Sequence, residues 1–328
     1  MLASNTINGK GFEYACLKAF YDELSRNGAK AAIVRSKAML TAEGMFNKLA
    51  PTEQGRYMQA ATTACRIIFP LEPNLVNGSG PVELSINPDS AATGVDGDVR
   101  DVMLIRSNGS LGRWEIGLSC KHNHEALKHP RITADKDFGK SWIGIPCSQK
   151  FISEVGKVVD QLVQYGADGL TWAAVAPTKD IKKDRYYYPI LVAYRDEIAM
   201  MCSADPDVPA KLLSYFFGAQ DFYKVIMEEG IERTTVEAFN MSGSLGQKAA
   251  AAKNTPKVPH IKMPTQLIKA EIKPNNKTTL VLVFDGGWTV SMRLHNKDKV
   301  AKPTSLAWDV QLIGQPSGMF VNKRYWNE

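Results

Sequence analysis

Two strand-like runs, DVRDVMLI (98–105) and RWEIGLSCK (113–121), are joined by SNGSLG, and Asn108-Gly109 within it is a strong turn signal. This stretch constrains the fold more than any other, because a hairpin with a defined turn also has a defined register. Pairing about a centre near 109–110 sets Asp101 opposite residues 117 to 119 and brings Lys121 one pleat further along, beside that carboxylate. Strand alternation puts Glu115, Gly117, Ser119 and Lys121 on one face. Ile116, Leu118 and Cys120 take the other, where they belong in a core. A hydrophobic strand with two aspartates is costly to bury, on the order of several kcal/mol per unpaired charge, so these carboxylates need partners.

A carboxylate and a lysine held at one end of a hairpin suit the hydrolysis of phosphodiesters. The carboxylate can hold Mg²⁺, a hard cation that keeps several waters and takes one or two carboxylates. The metal polarises the phosphate and lowers the pKa of a bound water, and the lysine positions that water or helps to take its proton. An ordinary surface hairpin with a charge pair would have the same two residues, and their spacing alone does not separate the readings.

Around the hairpin the sequence alternates helical and strand patterns. GFEYACLKAFYDELSRNG places Phe12, Ala15, Cys16, Ala19, Phe20 and Leu24 on one stripe with Gly28 as a stop. PTEQGRYMQAATTACRIIF repeats a helical period after Pro51. Gln149 to Tyr165 reads as an amphipathic helix, LTWAAVA (170–176) as a buried strand, and YYYPILVAY (186–194) as a strand whose Pro189 favours an edge or a bulge. ADPDVPAKLLSYFFG and QDFYKVIMEEG read as helices. Residues 242–264, small and proline-punctuated, suit a linker or arm. After it TTLVLVFDGGWTVSMRLH alternates around Gly286-Gly287, and SLAWDVQLIG follows. The expected architecture is α/β (α+β): a mixed central sheet flanked by helices over 1–241, the linker or arm over 242–264, and a basic β-rich region over 265–328.

Charge and thiols narrow the class. Lys253 to Glu328 carries 12 Lys/Arg against 5 Asp/Glu, whereas the rest carries 28 against 29, so the net +6 resides in the last quarter. A one-sided basic segment suits a polyanion such as nucleic acid, although a lysine-rich solvated surface has the same composition. No run of about 18 apolar residues is present to span a membrane. The N-terminus lacks the apolar core of a secretory signal. Five scattered cysteines without CxxC spacing suit reduced thiols in a cytoplasm.

GDVRDVMLI followed by EIGLSCKHNH resembles the PD-(D/E)xK nuclease core. The longer string GVDGDVRDV…WEIGLSCKHNHEALKHPR, with GWTVSMRLHNKDK…SLAWDVQLIG, resembles more narrowly the HaeIII/NgoPII group of type II restriction endonucleases over most of the chain. The resemblance implies a prokaryotic Mg²⁺-dependent enzyme that cuts double-stranded DNA at a short palindrome, GGCC for this group, leaving 5′-phosphate and 3′-hydroxyl ends. It gives Asp101 the metal-binding position and Lys121 the catalytic one. A palindromic target in turn favours a two-fold symmetric homodimer. The acidic residue expected two before the lysine is Ser119 here. Glu115, on the correct face but about 13 Å away along the strand, and Glu13, on the first helix, are the foremost substitutes as catalytic and metal-binding carboxylates; Glu125 ranks behind them. A solvated helix position is an equal reading for Glu13.

His122, His124 and His129 lack the spacing of structural zinc sites or of a helical histidine pair, and the literal His122-Asn123-His124 string is not the dispersed set that names HNH nucleases. Asn123, His124, Lys128, His129 and Arg131 are expected to contact DNA near the scissile bond, a polar loop being the plainer alternative. In the tail, Arg293 and Asn296 are expected at base edges, with His295 and Lys297 beside them and the lysines on phosphate. Trp288, Trp308 and Trp326 are expected in packing. Two other readings stay open: a non-catalytic DNA-binding protein on the same fold, and a zinc-dependent nuclease.

Overall fold

The computed structural model describes residues 4–88, 98–107, 112–123, 126–249 and 251–328. Its strands, in chain order, are β1 (Ala31–Ile33), β2 (Val82–Ile86), β3 (Val102–Ser107), β4 (Arg113–His122), β5 (Ala126–Lys128), β6 (Phe222–Glu228), β7 (Arg233–Phe239), β8 (Leu267–Ile272), β9 (Thr279–Phe284), β10 (Thr289–Asn296), β11 (Leu306–Gly314) and β12 (Phe320–Tyr325). The longer helices are α1 (Ser4–Arg26), α2 (Lys37–Phe46), α3 (Pro51–Ile68), α4 (Gln149–Ala167), α5 (Tyr188–Ala204) and α6 (Val208–Phe217).

Two compact units interleave along the chain. The first comprises Met1–Glu125, Ala219–Ile261 and Gly318–Glu328; the second comprises Ala126–Gly218 and Lys262–Ser317. The stretches 1–241 and 265–328 are therefore each divided: 126–218 goes to the second unit and 318–328 to the first.

The first unit is a mixed sheet flanked by helices, ordered β1-β2-β3-β4-β6-β7-β12. Within it β1 runs parallel to β2 and β4 parallel to β6, the other pairs being antiparallel. Helix α1 packs on β1 to β4 through the stripe its period dictates: Phe12, Ala15, Cys16, Ala19, Phe20 and Leu24 are all buried. It ends where Gly28 takes a left-handed φ of 74° that lets the chain turn back. In α3, Pro51 opens the helix and the Glu53 carboxylate accepts a hydrogen bond from the Ala50 N–H at 2.9 Å, satisfying one of the helix's free donors. Arg106 of β3 is fully buried, and its guanidinium donates to the carbonyls of Asn74, Leu75, Gly78 and Gly80, fastening the loop before β2.

The second unit is an antiparallel sheet ordered β5-β11-β10-β9-β8, with an aromatic core in which Phe138 stacks on Tyr194 at 4.5 Å and Trp142 on Tyr215 at 5.0 Å. Trp288 and Trp308 are fully buried here, and Trp326 is buried in the first unit. The hairpin about Gly286-Gly287 and the strand SLAWDVQLIG form as expected.

Three segments differ from the sequence reading. YYYPILVAY is helical: Tyr186 and Tyr187 close a π-helical segment, Lys183–Tyr187, that runs directly into α5, and this widened turn just before Pro189 accommodates a residue with no N–H to give. QDFYKVIMEEG forms β6, a central strand buried on both faces, so its apolar residues run on without alternation. LTWAAVA makes one helical turn, Trp172–Val175, with the Trp172 indole donating to Ser305 Oγ at 3.0 Å. All five cysteines are unpaired. No helix among the described residues is long and apolar enough to cross a membrane.

Candidate active site

The β3–β4 register is the one the turn implies: Val102 lies opposite Leu118, so Asp101 falls just beyond the ladder, beside Ser119. Its own N–H still donates to the Leu118 carbonyl at 2.7 Å. The strand starts at Val102 rather than Asp98 because the aspartates divert the backbone: Asp98 Oδ1 accepts from the Arg100 N–H at 3.0 Å. Asp101 Oδ2 accepts from the Cys120 N–H at 2.7 Å and from Lys121 Nζ at 3.4 Å. Among the described residues Asp101 Oδ1 takes no hydrogen bond, and the carboxylate is a quarter exposed, 24%. The turn residues 108–111, together with His124 and Glu125, lie outside the described residues.

Glu13 of α1 joins this pair. It is buried, with Lys10 Nζ at 2.9 Å from Oε2. Its pKa is pushed up to about 8, first by loss of water and then by the Asp101 charge, against the smaller opposing pull of Lys10 and Lys121. Two carboxylates close enough to repel are what a divalent cation relieves. No three His, Cys, Asp or Glu side chains among the described residues form a ready-made metal cage, but Mg²⁺ requires only one or two carboxylates and keeps its waters. Asp101 and Glu13 are the two carboxylates that could hold such an ion.

Glu115 is committed elsewhere. Arg100 Nη1 donates to its Oε1 at 2.9 Å and Arg113 Nε to its Oε2 at 2.6 Å, while Arg100 also grips both oxygens of Asp98. The two guanidiniums hold the Glu115 pKa below its usual value despite partial burial. Arg100 lies flat over Gly117, where any Cβ would collide with its side chain. Ser119 is buried and sits directly across from Lys224 of β6, itself buried and 3.4 Å from Glu237. An acidic side chain at 119 would enter that buried ion pair. Cys120 packs in the core, as its place in the alternation predicts.

A model of the HaeIII restriction endonuclease family matches residues 9–316. The chain belongs to the HaeIII restriction endonuclease family. The type II restriction enzyme HaeIII of Haemophilus aegyptius is 32% identical over 325 residues, covering 98% of either chain. No solved structure matches. As a member of this family the protein is a DNA-cleaving hydrolase of the type II restriction endonuclease kind.

The remaining polar candidates of this HaeIII-family chain divide between its units. Asn123 takes a left-handed φ of 55°, and its side chain clasps Glu229, accepting from the Glu229 N–H at 2.8 Å. His122 Nε2 is 3.0 Å from the same carboxylate, which also pairs with Arg56. Lys128 follows β4 in sequence but belongs to the second sheet, with Nζ over the Tyr215 ring at 3.5 Å. There β5, β11 and β10 lie side by side and gather residues more than 150 positions apart. Arg293 Nη2 donates to Asp309 Oδ2 at 3.0 Å, His129 Nδ1 is 3.8 Å from Asp309 Oδ1, and the His129 and His295 rings meet edge to face at 6.2 Å. Arg131 reaches Asp298 at 3.3 Å, and Lys297 is exposed nearby. Asn296 faces inward instead: its Oδ1 accepts from Lys182 Nζ and the Tyr187 hydroxyl, both at 3.3 Å. Sequence reasoning missed Asp309, Lys224 and Glu237, which only strand pairing brings into these sites.

Proposed function

We propose that the protein is a Mg²⁺-dependent type II restriction endonuclease that hydrolyses double-stranded DNA at GGCC, leaving 5′-phosphate and 3′-hydroxyl ends, and acts as a homodimer on its palindrome. The observation that carries this reading is the Asp101–Lys121 pair, fixed by the Cys120 N–H and joined by the buried Glu13. Asp101 and Glu13 are the residues that would hold Mg²⁺, and when bound the cation supplies the charge that polarises the scissile phosphate. Asp101 keeps the Lys121 ammonium in a fixed place, where it orients the attacking water and meets the charge that grows on the phosphate oxygens. Glu115, held by Arg100 and Arg113, shapes the strand below this group. On the second sheet Arg293, His129, His295, Arg131 and Lys297 form the DNA-facing group, and the site sequence comes from the family resemblance.

The test is incubation with plasmid DNA and Mg²⁺, followed by sequencing of the fragment ends. Discrete fragments cut within GGCC are expected, and the K121A variant should bind the same duplex yet cut it roughly a hundred- to ten-thousandfold more slowly. Near-normal cutting by K121A would overturn the mechanism. A mobility shift without cleavage by the wild type would favour the non-catalytic binder.

A further inference from the structure

Asp309 is an enclosed carboxylate in a patch that holds Arg293, Arg131 and Lys297, with a second carboxylate, Asp298, paired to Arg131. It lies directly opposite Arg293 across the β10–β11 ladder, and the two side chains are exposed to very different extents, 9% for Asp309 and 58% for Arg293. Two donors converge on its Oδ2: Arg293 Nη2 at 3.0 Å and, from two residues further along β11, Gln311 Nε2 at 3.4 Å. Its Oδ1 is buried and among the described residues makes no hydrogen bond, with His129 Nδ1 3.8 Å away. Arg131, Lys297 and His295 surround the group, and His295 is held toward its neutral form chiefly by burial.

A negative charge set into a face that attracts a polyanion weakens that attraction for every DNA sequence alike. What the carboxylate provides in exchange is pose. A guanidinium anchored through one nitrogen keeps its other N–H groups free in a fixed orientation, and a planar fork in a fixed orientation is what reading guanine O6 and N7 together demands. Unanchored, the same arginine would settle on phosphates, which carry no sequence information. We propose that Asp309 is a positioning residue for base recognition, holding Arg293 so that its outward N–H groups meet a guanine edge. This rests on the endonuclease reading above and assigns the origin of its specificity.

The two roles of the charge have opposite signs, which makes the proposal testable. Wild type, D309N, R293A and the double variant are compared for affinity, with Ca²⁺ in place of Mg²⁺, toward a GGCC duplex and toward one with a single G·C pair replaced. D309N should bind the altered duplex more tightly than the wild type does, while discrimination between the duplexes falls roughly ten- to a hundredfold. In the R293A background D309N should cause no further loss of discrimination, which a merely structural role would not produce. Unchanged discrimination in D309N, or losses that simply add, would overturn the positioning role. Should D309N melt well below the wild type, the exposed R293K variant decides: lysine keeps the charge but cannot hold the carboxylate and a base edge at once, so retained discrimination overturns the proposal. Wild-type protein that fails to cut plasmid DNA sinks the endonuclease reading itself, whereas normal cutting with unaltered D309N selectivity sinks only the role of Asp309.

Discussion

In the first unit Lys121 and Asp101 stand 3.4 Å apart, with 15% and 24% of their side chains exposed; in the second Arg293 and Asp309 stand 3.0 Å apart, with 58% and 9% exposed. Both are acid–base pairs set on sheets, but they turn opposite partners toward solvent. Among the described residues Asp101 Oδ1 takes no hydrogen bond while its cation is the more enclosed member, an arrangement that on the proposed function offers a carboxylate to a metal. Asp309 is enclosed while its cation projects, an arrangement that offers a guanidinium to an anion or a base edge. On the proposed function the same pair of charges therefore serves two chemistries. In the first both members face the reaction, Asp101 toward a metal and Lys121 toward the attacking water, whereas in the second the enclosed Asp309 fixes the pose and the exposed Arg293 meets the ligand.

The largest effects should come from breaking the first pair. Asp101→Asn should lower cleavage by roughly a thousandfold, whereas Glu115→Gln should act mainly on stability, through its bonds to Arg100 and Arg113. Single-turnover cleavage at saturating Mg²⁺, alongside thermal melts, separates the two. Equal losses of cleavage with unchanged melting would return Glu115 to the metal site and make the division between the two carboxylates untenable.

A mid-sized effect attaches to Glu13, whose pKa rises from 4.5 to about 8 through burial and then Asp101. Between those values the folded protein retains a proton that the unfolded chain has released. Stability without divalent cations should therefore fall as pH rises through this window. Glu13→Gln has no such proton to lose, so its melting temperature should match the wild type near pH 5 and exceed it by roughly a few degrees at pH 8. Adding Mg²⁺ at pH 8 should raise the wild type and leave the variant nearly unmoved. Parallel melting of the two proteins across pH, with and without Mg²⁺, would remove Glu13 from the pair.

What was legible in the sequence was short-range. The α1 stripe, the opening of α3 at Pro51 and the β3–β4 register follow from local period and turn chemistry, and with the register came the meeting of Asp101 and Lys121. The errors arose where tertiary context overrode local pattern. Pro189 reads equally as a bulge or as a helix start, and β6 loses its alternation because both of its faces are covered. Pairings between distant strands left no local trace. Nothing in SLAWDVQLIG marks its aspartate as the partner of Arg293, and nothing in DFYKVIME marks Lys224 as the neighbour of Ser119. Glu13 was visible as a helical acid, but its burial beside Asp101 depends on how α1 lies on the sheet.

The smallest effect tests the second pair from its edge. Lys297 follows β10 directly and is exposed, and its ammonium pKa lies below the usual lysine value through desolvation, with Arg131 adding repulsion. Among the described residues no carboxylate is bonded to it as Asp309 is to Arg293, so it lacks the fixed pose that reading a base requires. A cation of this kind neutralises phosphate and releases counterions irrespective of sequence. Lys297→Ala should therefore shallow the slope of log affinity against log salt by about one unit and weaken cognate and altered duplexes equally, leaving their ratio unchanged. Titrations of both duplexes across a salt series, with Ca²⁺ present, measure slope and ratio together. A loss of discrimination in K297A comparable to that in R293A would mean that an unanchored cation can read sequence, and the distinction drawn from Asp309 would fail.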